Sequence, residues 1–335
     1  MLASNFAASS SCRLAVPLPL HRQLLNASIL YLILLQRFSV RQIMNKNLRI
    51  LIALIAFFSV NGAVAQSGVE EHQVMLAATA DAHKSDKPEP TPMATAAPAR
   101  AVVGGMVTYG QMDGKDLTGY LVKPADATAD TPALLVVHEW WGLNDNMRQT
   151  ADRLAGEGYI ALVADLYGGE VASIPKEAIK LMTALMADTS KGDENVRQAY
   201  RYLDETVGAP RIGSIGWCMG GRWSLRSAVL FPDEIDATVI YYGNTTDDEA
   251  DLAPLQMPVM GNFAAEDPVV KIESVKSFTA VMESLGKDID VKIYEGAQHG
   301  FSNPSGMAYN AEAADDAWRR TMGFLGEHLS DDAGT

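Results

Sequence analysis

The chain has 335 residues, 48% hydrophobic and 20% charged, with 27 basic against 41 acidic side chains and a formal net charge of −14. An excess of carboxylates repels phosphate backbones, so no nucleic-acid partner is expected. The length would allow two domains, but basic charge and sequence pattern divide it differently: the first 65 residues hold Arg13, Arg22, Arg37, Arg41, Lys46 and Arg49 and no Asp or Glu.

Met44-Asn-Lys-Asn-Leu-Arg49 is a short basic stretch, followed by an apolar run from Ile50 to Val60 that only Ser59 interrupts, then Ala63-Val-Ala65 and Gln66. This is the order of a secretory signal peptide with its small-residue cleavage site. The run is short for a membrane span. The expectation is a leader over 1–65, cleavage near Ala65, a periplasmic or secreted product and no stable membrane insertion afterwards; an uncleaved anchor is the alternative. Residues 1–43 carry a second apolar patch, Ile29 to Leu35, and no compact-domain pattern, which makes Met44 a candidate start. Residues 66–100 are rich in Ala, Pro and Thr, and Lys87-Pro-Glu-Pro-Thr-Pro92 holds neither helix nor central strand, so this stretch reads as a linker. Of the two cysteines, Cys12 leaves with the leader, so Cys218 has no internal disulfide partner. A leftover thiol in an exported protein is either inert and buried or functional.

Residues 101–332 read as one α/β domain. Val102–Tyr109 and Leu117–Val122 predict a hairpin turning at Asp113-Gly114. Ala133–Val137 is a continuous apolar run, as a buried parallel strand requires. Asn146–Glu157 is amphipathic and stops at Gly158; Tyr159–Ala164 is the next strand. Helices are predicted over Pro175–Met186 and Glu194–Thr206, a strand over Arg211–Trp217, and a helix over Met219–Leu230 ending before Pro232. Strands at Ala237–Tyr242 and Pro258–Phe263, a helix over Val269–Leu285, a strand at Val291–Tyr294 and a helix over Met307–Leu329 complete the domain. Alternating strands and helices imply a mostly parallel sheet with helices on both faces.

Gly216-Trp-Cys218-Met-Gly220 places G-x-C-x-G between a predicted strand and a predicted helix. That is the context in which a nucleophile elbow has meaning. The side chain at its centre is thrust out against a helix N-terminus, whose dipole favours a thiolate, and the Met219 N–H is placed to hold an oxyanion. His299 follows the last strand and suits a general base. His72 and His83 fall in the linker and His328 in the last helix. Asp267, in Glu266-Asp267-Pro268, is the acid, since Asp-Pro starts a turn that fixes the carboxylate; Glu266 is the fallback. The order Cys218, Asp267, His299 is the nucleophile, acid, base order of α/β-hydrolases. Glu139, directly after the strand 133–137, lies at the same end of the sheet. A carboxylate there keeps a thiol neutral by charge or by hydrogen bonding, and a neutral thiol resists oxidation.

These residues resemble the dienelactone hydrolase family. The resemblance runs from about Val107 to Leu329 and rests on Val136-Val-His-Glu139-Trp-Trp-Gly142, Asp165-Leu-Tyr-Gly168, Gly216-Trp-Cys218-Met-Gly-Gly221, Glu266-Asp267 and Gly296-Ala-Gln-His299-Gly-Phe301. It implies the α/β-hydrolase fold, a triad of Cys218, Asp267 and His299, modulation of the thiol by Glu139 and a second oxyanion N–H from Trp140. Family enzymes acting on dienelactone hold its carboxylate with two arginines. Here Asn303 stands four residues after His299, and the stretch 174–182 offers Lys176 and Lys180 instead. An ammonium replaces the charge of a guanidinium but not its two-pronged geometry, so the chemistry carries over better than the substrate. Trp141, Phe301 and Asn303 are expected to line the substrate pocket. No metal cluster, dinucleotide fingerprint or P-loop stands in the sequence, and neither metal nor cofactor is expected. The reading is an exported hydrolase of a small ester or lactone working through an acyl-thioester. The alternative is a non-catalytic binding or redox-sensing module on the same fold, which would need the thiol but neither base nor acid. Acyl transfer to an alcohol is a third, minor reading.

Overall fold

The computed structural model describes residues 74, 76–86, 88–91 and 97–330. The predicted leader, the candidate start at Met44, Cys12 and His72 lie outside the described residues.

Strands β1 (Val102–Met112) and β2 (Lys115–Pro124) form the expected hairpin. Its two turn residues, Asp113 and Gly114, both have positive φ, 52° and 73°, the signature of the turn whose twist matches paired strands. β2 runs antiparallel to β4 (Ile160–Ala164). From there β3 (Ala133–Val137), β5 (Ile212–Trp217), β6 (Ala237–Tyr241), β7 (Val259–Ala264) and β8 (Ile289–Tyr294) continue in parallel, in the spatial order β1-β2-β4-β3-β5-β6-β7-β8. Every residue of β3, β4, β5, β6 and β7 is buried, as strands covered on both faces must be.

The helices are α1 (Asp145–Glu157), α2 (Pro175–Ala187), α3 (Thr189–Arg201), α4 (Met219–Leu230), the short α5 (Glu249–Leu252), α6 (Ile272–Ser284) and α7 (Ala311–Leu329). Asn144 caps α1 through its side chain and Gly158 ends it in the left-handed conformation. The helix expected over 194–206 instead begins at Thr189 and passes into a wider π-helical turn, Tyr202–Val207. The last helix starts at Ala311 rather than Met307, because Asn310 accepts the Ala313 N–H as its cap. The tetrapeptide helix α5 has no counterpart among the predicted elements.

The linker expectation fails for part of its length. Residues 76–82 are helical and belong to the same compact unit as the sheet. Leu76, Thr79 and His83 recur at helical spacing, and Thr79 and His83 are buried. An Ala- and Thr-rich composition hid this stripe. The proline stretch behaves as expected, and its described residues, 88–91, are not helical. They are fastened by hydrogen bonds from the Thr91 N–H to Ser305 Oγ and from the Thr91 hydroxyl to the Pro304 carbonyl, both 3.0 Å.

Candidate active site

Cys218, Asp267, His299 and Glu139 follow the C-terminal ends of β5, β7, β8 and β3, the edge where parallel α/β sheets place their ligands. Cys218 stands between β5 and α4 with φ 56° and ψ −120°. Its N–H still donates to the Tyr241 carbonyl of the next strand, and its carbonyl already accepts the Gly221 N–H, each at 3.0 Å. So tight a reversal demands missing side chains on either side: a Cβ on Gly216 would collide with the Gly220 carbonyl, and one on Gly220 with the Val137 carbonyl.

His299 bridges the other two residues. Its Nδ1 lies 2.8 Å from Asp267 Oδ2 and its Nε2 3.2 Å from Cys218 Sγ. Asp267 is held by its own turn, with Oδ1 accepting the N–H groups of Val269 and Val270 at 2.7 and 2.9 Å. Glu266, the fallback acid, is exposed. Burial raises the Cys218 pKa; the neighbouring His83 pulls it down, Glu139 pushes it up and the Met219 N–H pulls it down, and the net direction is upward. The resting group is therefore a thiol. Glu139 is buried, which pushes its carboxyl up as well. Its Oε2 accepts from Asn303 Nδ2 at 2.8 Å, and among the described residues it makes no hydrogen bond to the thiol. When ionised, its charge disfavours the thiolate.

The expected pocket residues are placed differently from one another. Trp141 and Phe301 are core: Trp141 packs on Trp140, and Phe301 lies between Tyr242 and Tyr294. Asn303 is occupied by Glu139, and Lys176 and Lys180 are exposed. The space beside the thiol, about 20 Å³, is lined instead by Thr79, Met182, Met186, Met219, Arg222, Asn244 and Val269. Met182 and Met186 stand on α2, one turn apart, in a stretch predicted as a helix with no site role. A wider groove of about 290 Å³ reaches His299 between Asp81, Lys84, Pro268, Gln298 and Met307. Tyr167 braces both expected oxyanion residues: its hydroxyl donates to the Trp140 carbonyl at 3.1 Å and lies 3.2 Å from Met219 Sδ. His138 is structural. Its Nδ1 donates to the Glu139 carbonyl at 2.6 Å and its Nε2 accepts the Leu166 N–H at 3.1 Å.

His83 is the residue that sequence reasoning missed. Only 2% of it is exposed. Its ring packs 5.0 Å from Trp140 and 5.4 Å from His299, and its Nδ1 lies 2.6 Å from Asp86 Oδ2. Asp86 Oδ1 accepts the Met307 N–H at 2.8 Å, which fixes the carboxylate. Burial pulls the His83 pKa down, but Asp86 and then the Cys218 sulfur outweigh it and push it up to about 9. One nitrogen of His83, one of His299 and Cys218 Sγ lie within 4.8 Å of one another.

Known proteins resemble the chain in sequence and fold. A sequence model of the dienelactone hydrolase family matches residues 117–329. The chain is 32% identical over 235 residues to Protein usf of Aquifex pyrophilus, covering 68% of this chain and all of the relative. It is 32% identical over 249 residues to a Saccharolobus solfataricus protein provisionally named carboxymethylenebutenolidase, covering 63% and 95% of the two. Among solved structures, one described as m3DLH superposes with a TM-score of 0.61 at 27% identity, covering 69% of this chain and all of that one. A dienelactone hydrolase-like promiscuous phosphotriesterase from metagenomic libraries gives 0.62 at 24%, covering 68% and 99%, and shows the fold alone. The chain thus has the α/β-hydrolase fold, is a hydrolase and belongs to the dienelactone hydrolase family.

Proposed function

We propose that the chain is an exported thiol hydrolase of small carboxylic esters or lactones, with Cys218 as nucleophile, His299 as base and Asp267 as the residue that orients it. The observation that carries this reading is the position of His299, hydrogen-bonded at once to Asp267 and to Cys218. A sensor thiol needs no such pair. The naming of a relative as a carboxymethylenebutenolidase supports the bond type.

In this reading His299 Nε2 takes the Cys218 proton as sulfur attacks the carbonyl carbon. The N–H groups of Met219 and Trp140 receive the oxyanion, braced from behind by Tyr167. Collapse expels the alkoxide, which His299 protonates, and leaves an acyl-thioester. Water activated by the same imidazole then releases the acid. Keeping the sulfur protonated at rest fits a buried nucleophile that ionises only as the base takes its proton.

The test is turnover of a p-nitrophenyl ester during stoichiometric alkylation by iodoacetamide. Activity falling in proportion to modified Cys218 supports the reading, and full activity after complete modification overturns it. Export is tested by N-terminal sequencing of the mature protein: a start near Gln66 supports it, and an intact leader on soluble cytoplasmic protein contradicts it.

A further inference from the structure

His83 has no role in the hydrolysis described above, yet it stands beside the thiol, and among the described residues its buried Nε2 makes no well-formed hydrogen bond. A buried imidazole nitrogen left unpaired is costly, and once it gives up its proton it offers a lone pair to an ion. Two histidines here are arranged alike. Each gives Nδ1 to a fixed carboxylate, His83 to Asp86 at 2.6 Å and His299 to Asp267 at 2.8 Å. That is the outer-shell pattern of metal-ligating histidines, whose second nitrogen binds the ion.

We propose that His83, His299 and Cys218 together bind one divalent transition-metal ion of the zinc class through the two Nε2 atoms and Sγ. A thiolate with two imidazoles is the donor set such ions prefer, whereas magnesium and calcium require oxygens. Tetrahedral bonds to zinc space ligand atoms about 3.3–3.6 Å apart. His299 and Cys218, at 3.2 Å, need to part by only about 0.3–0.4 Å. The three donors lie within 4.8 Å, so His83 has at most about 1.5 Å to close. The fourth position falls to a water, for which the space of about 20 Å³ beside the thiol suffices. On binding, the thiol proton leaves to solvent and sulfur donates its pair to the ion. Any proton on an Nε2 leaves likewise, while the Nδ1 protons stay with Asp86 and Asp267. Those two carboxylates and the thiolate offset the charge of the ion.

Metal binding would join the segment that follows helix 76–82 to the sheet edge and take nucleophile and base out of action together. That inhibitory consequence rests on the hydrolase reading; the metal site does not.

The experiment titrates cobalt(II) into the purified protein after chelator treatment. The expected result is one equivalent bound, a thiolate-to-cobalt charge-transfer band and the intense visible bands of tetrahedral cobalt, with zinc displacing cobalt and suppressing ester turnover. His83→Gln should lose the tetrahedral signature and at least about tenfold in affinity, and Asp86→Asn, which keeps the ring, should weaken binding about 10–100-fold. Absence of the band in the wild type, or band and affinity unchanged in both variants, overturns the proposal. A protein that hydrolyses esters but shows no band contradicts this inference alone. One that shows the band but has no metal-free turnover contradicts the hydrolase reading alone.

Discussion

Replacing Asp267 with Asn separates orientation from bond formation. The turn survives, because an amide oxygen in the place of Oδ1 still accepts from Val269 and Val270. What changes is the 2.8 Å contact to His299, where an NH₂ now faces Nδ1. Losing a hydrogen bond to a charged group costs about 1.5–3 kcal/mol, or about 10–150-fold in rate. The larger effect is on the tautomer. With a donor facing it, Nδ1 becomes the acceptor and the ring proton moves to Nε2, which then points at sulfur and cannot take its proton. The analogous change in a serine triad costs about 10⁴-fold. The expected fall in kcat/KM for a p-nitrophenyl ester is thus about 10²–10⁴-fold, with thermal unfolding close to wild type. Exposed Glu266 serves as the control, and Glu266→Gln should leave turnover unchanged. A folded Asp267→Asn protein within about fivefold of wild type would refute the reasoning.

Two further outcomes follow from neighbouring contacts. Gly216→Ala forces a methyl onto the Gly220 carbonyl and should cost about 1–3 kcal/mol of stability, read as a lower denaturant midpoint; an unchanged midpoint would mean the elbow has room. His138 is kept neutral, its pKa lowered by burial, and its Nε2 is committed as an acceptor. Below pH about 6.5 the unfolded chain takes up a proton there that the folded chain refuses, so each further unit of acid costs up to about 1.4 kcal/mol. The wild type should therefore lose Tm on acidification faster than His138→Gln, and parallel curves would contradict the assignment.

What was legible in the sequence was local. The hairpin with its Asp113-Gly114 turn, the apolar runs of β3 to β7 and the glycines around Cys218 each announce themselves within a short stretch, and chain order ties the elbow to Asp267 and His299. What was hidden depends on contacts across the chain. His83 meets His299 only because residues 76–86 fold back over the sheet edge, and a composition rich in Ala, Thr and Pro reads the same whether that happens or not. Trp141 and Phe301 follow motif residues and so looked like pocket walls, whereas their side chains turn into the core. Met182, Met186 and Arg222 carry no motif; which helix face meets the thiol is decided by how α2 and α4 dock. The metal donors were invisible for the same reason, since no ligand spacing links residues so far apart.

The central claim, that Cys218 is the nucleophile and His299 its base, is tested most directly by steady-state turnover of one ester by Cys218→Ala, His299→Ala and the double variant, each shown to be folded by circular dichroism. Groups that act as a unit are strongly non-additive. The account predicts that each single change abolishes nearly all turnover and that the double variant is little worse than either. A folded Cys218→Ala protein with near wild-type turnover would contradict it.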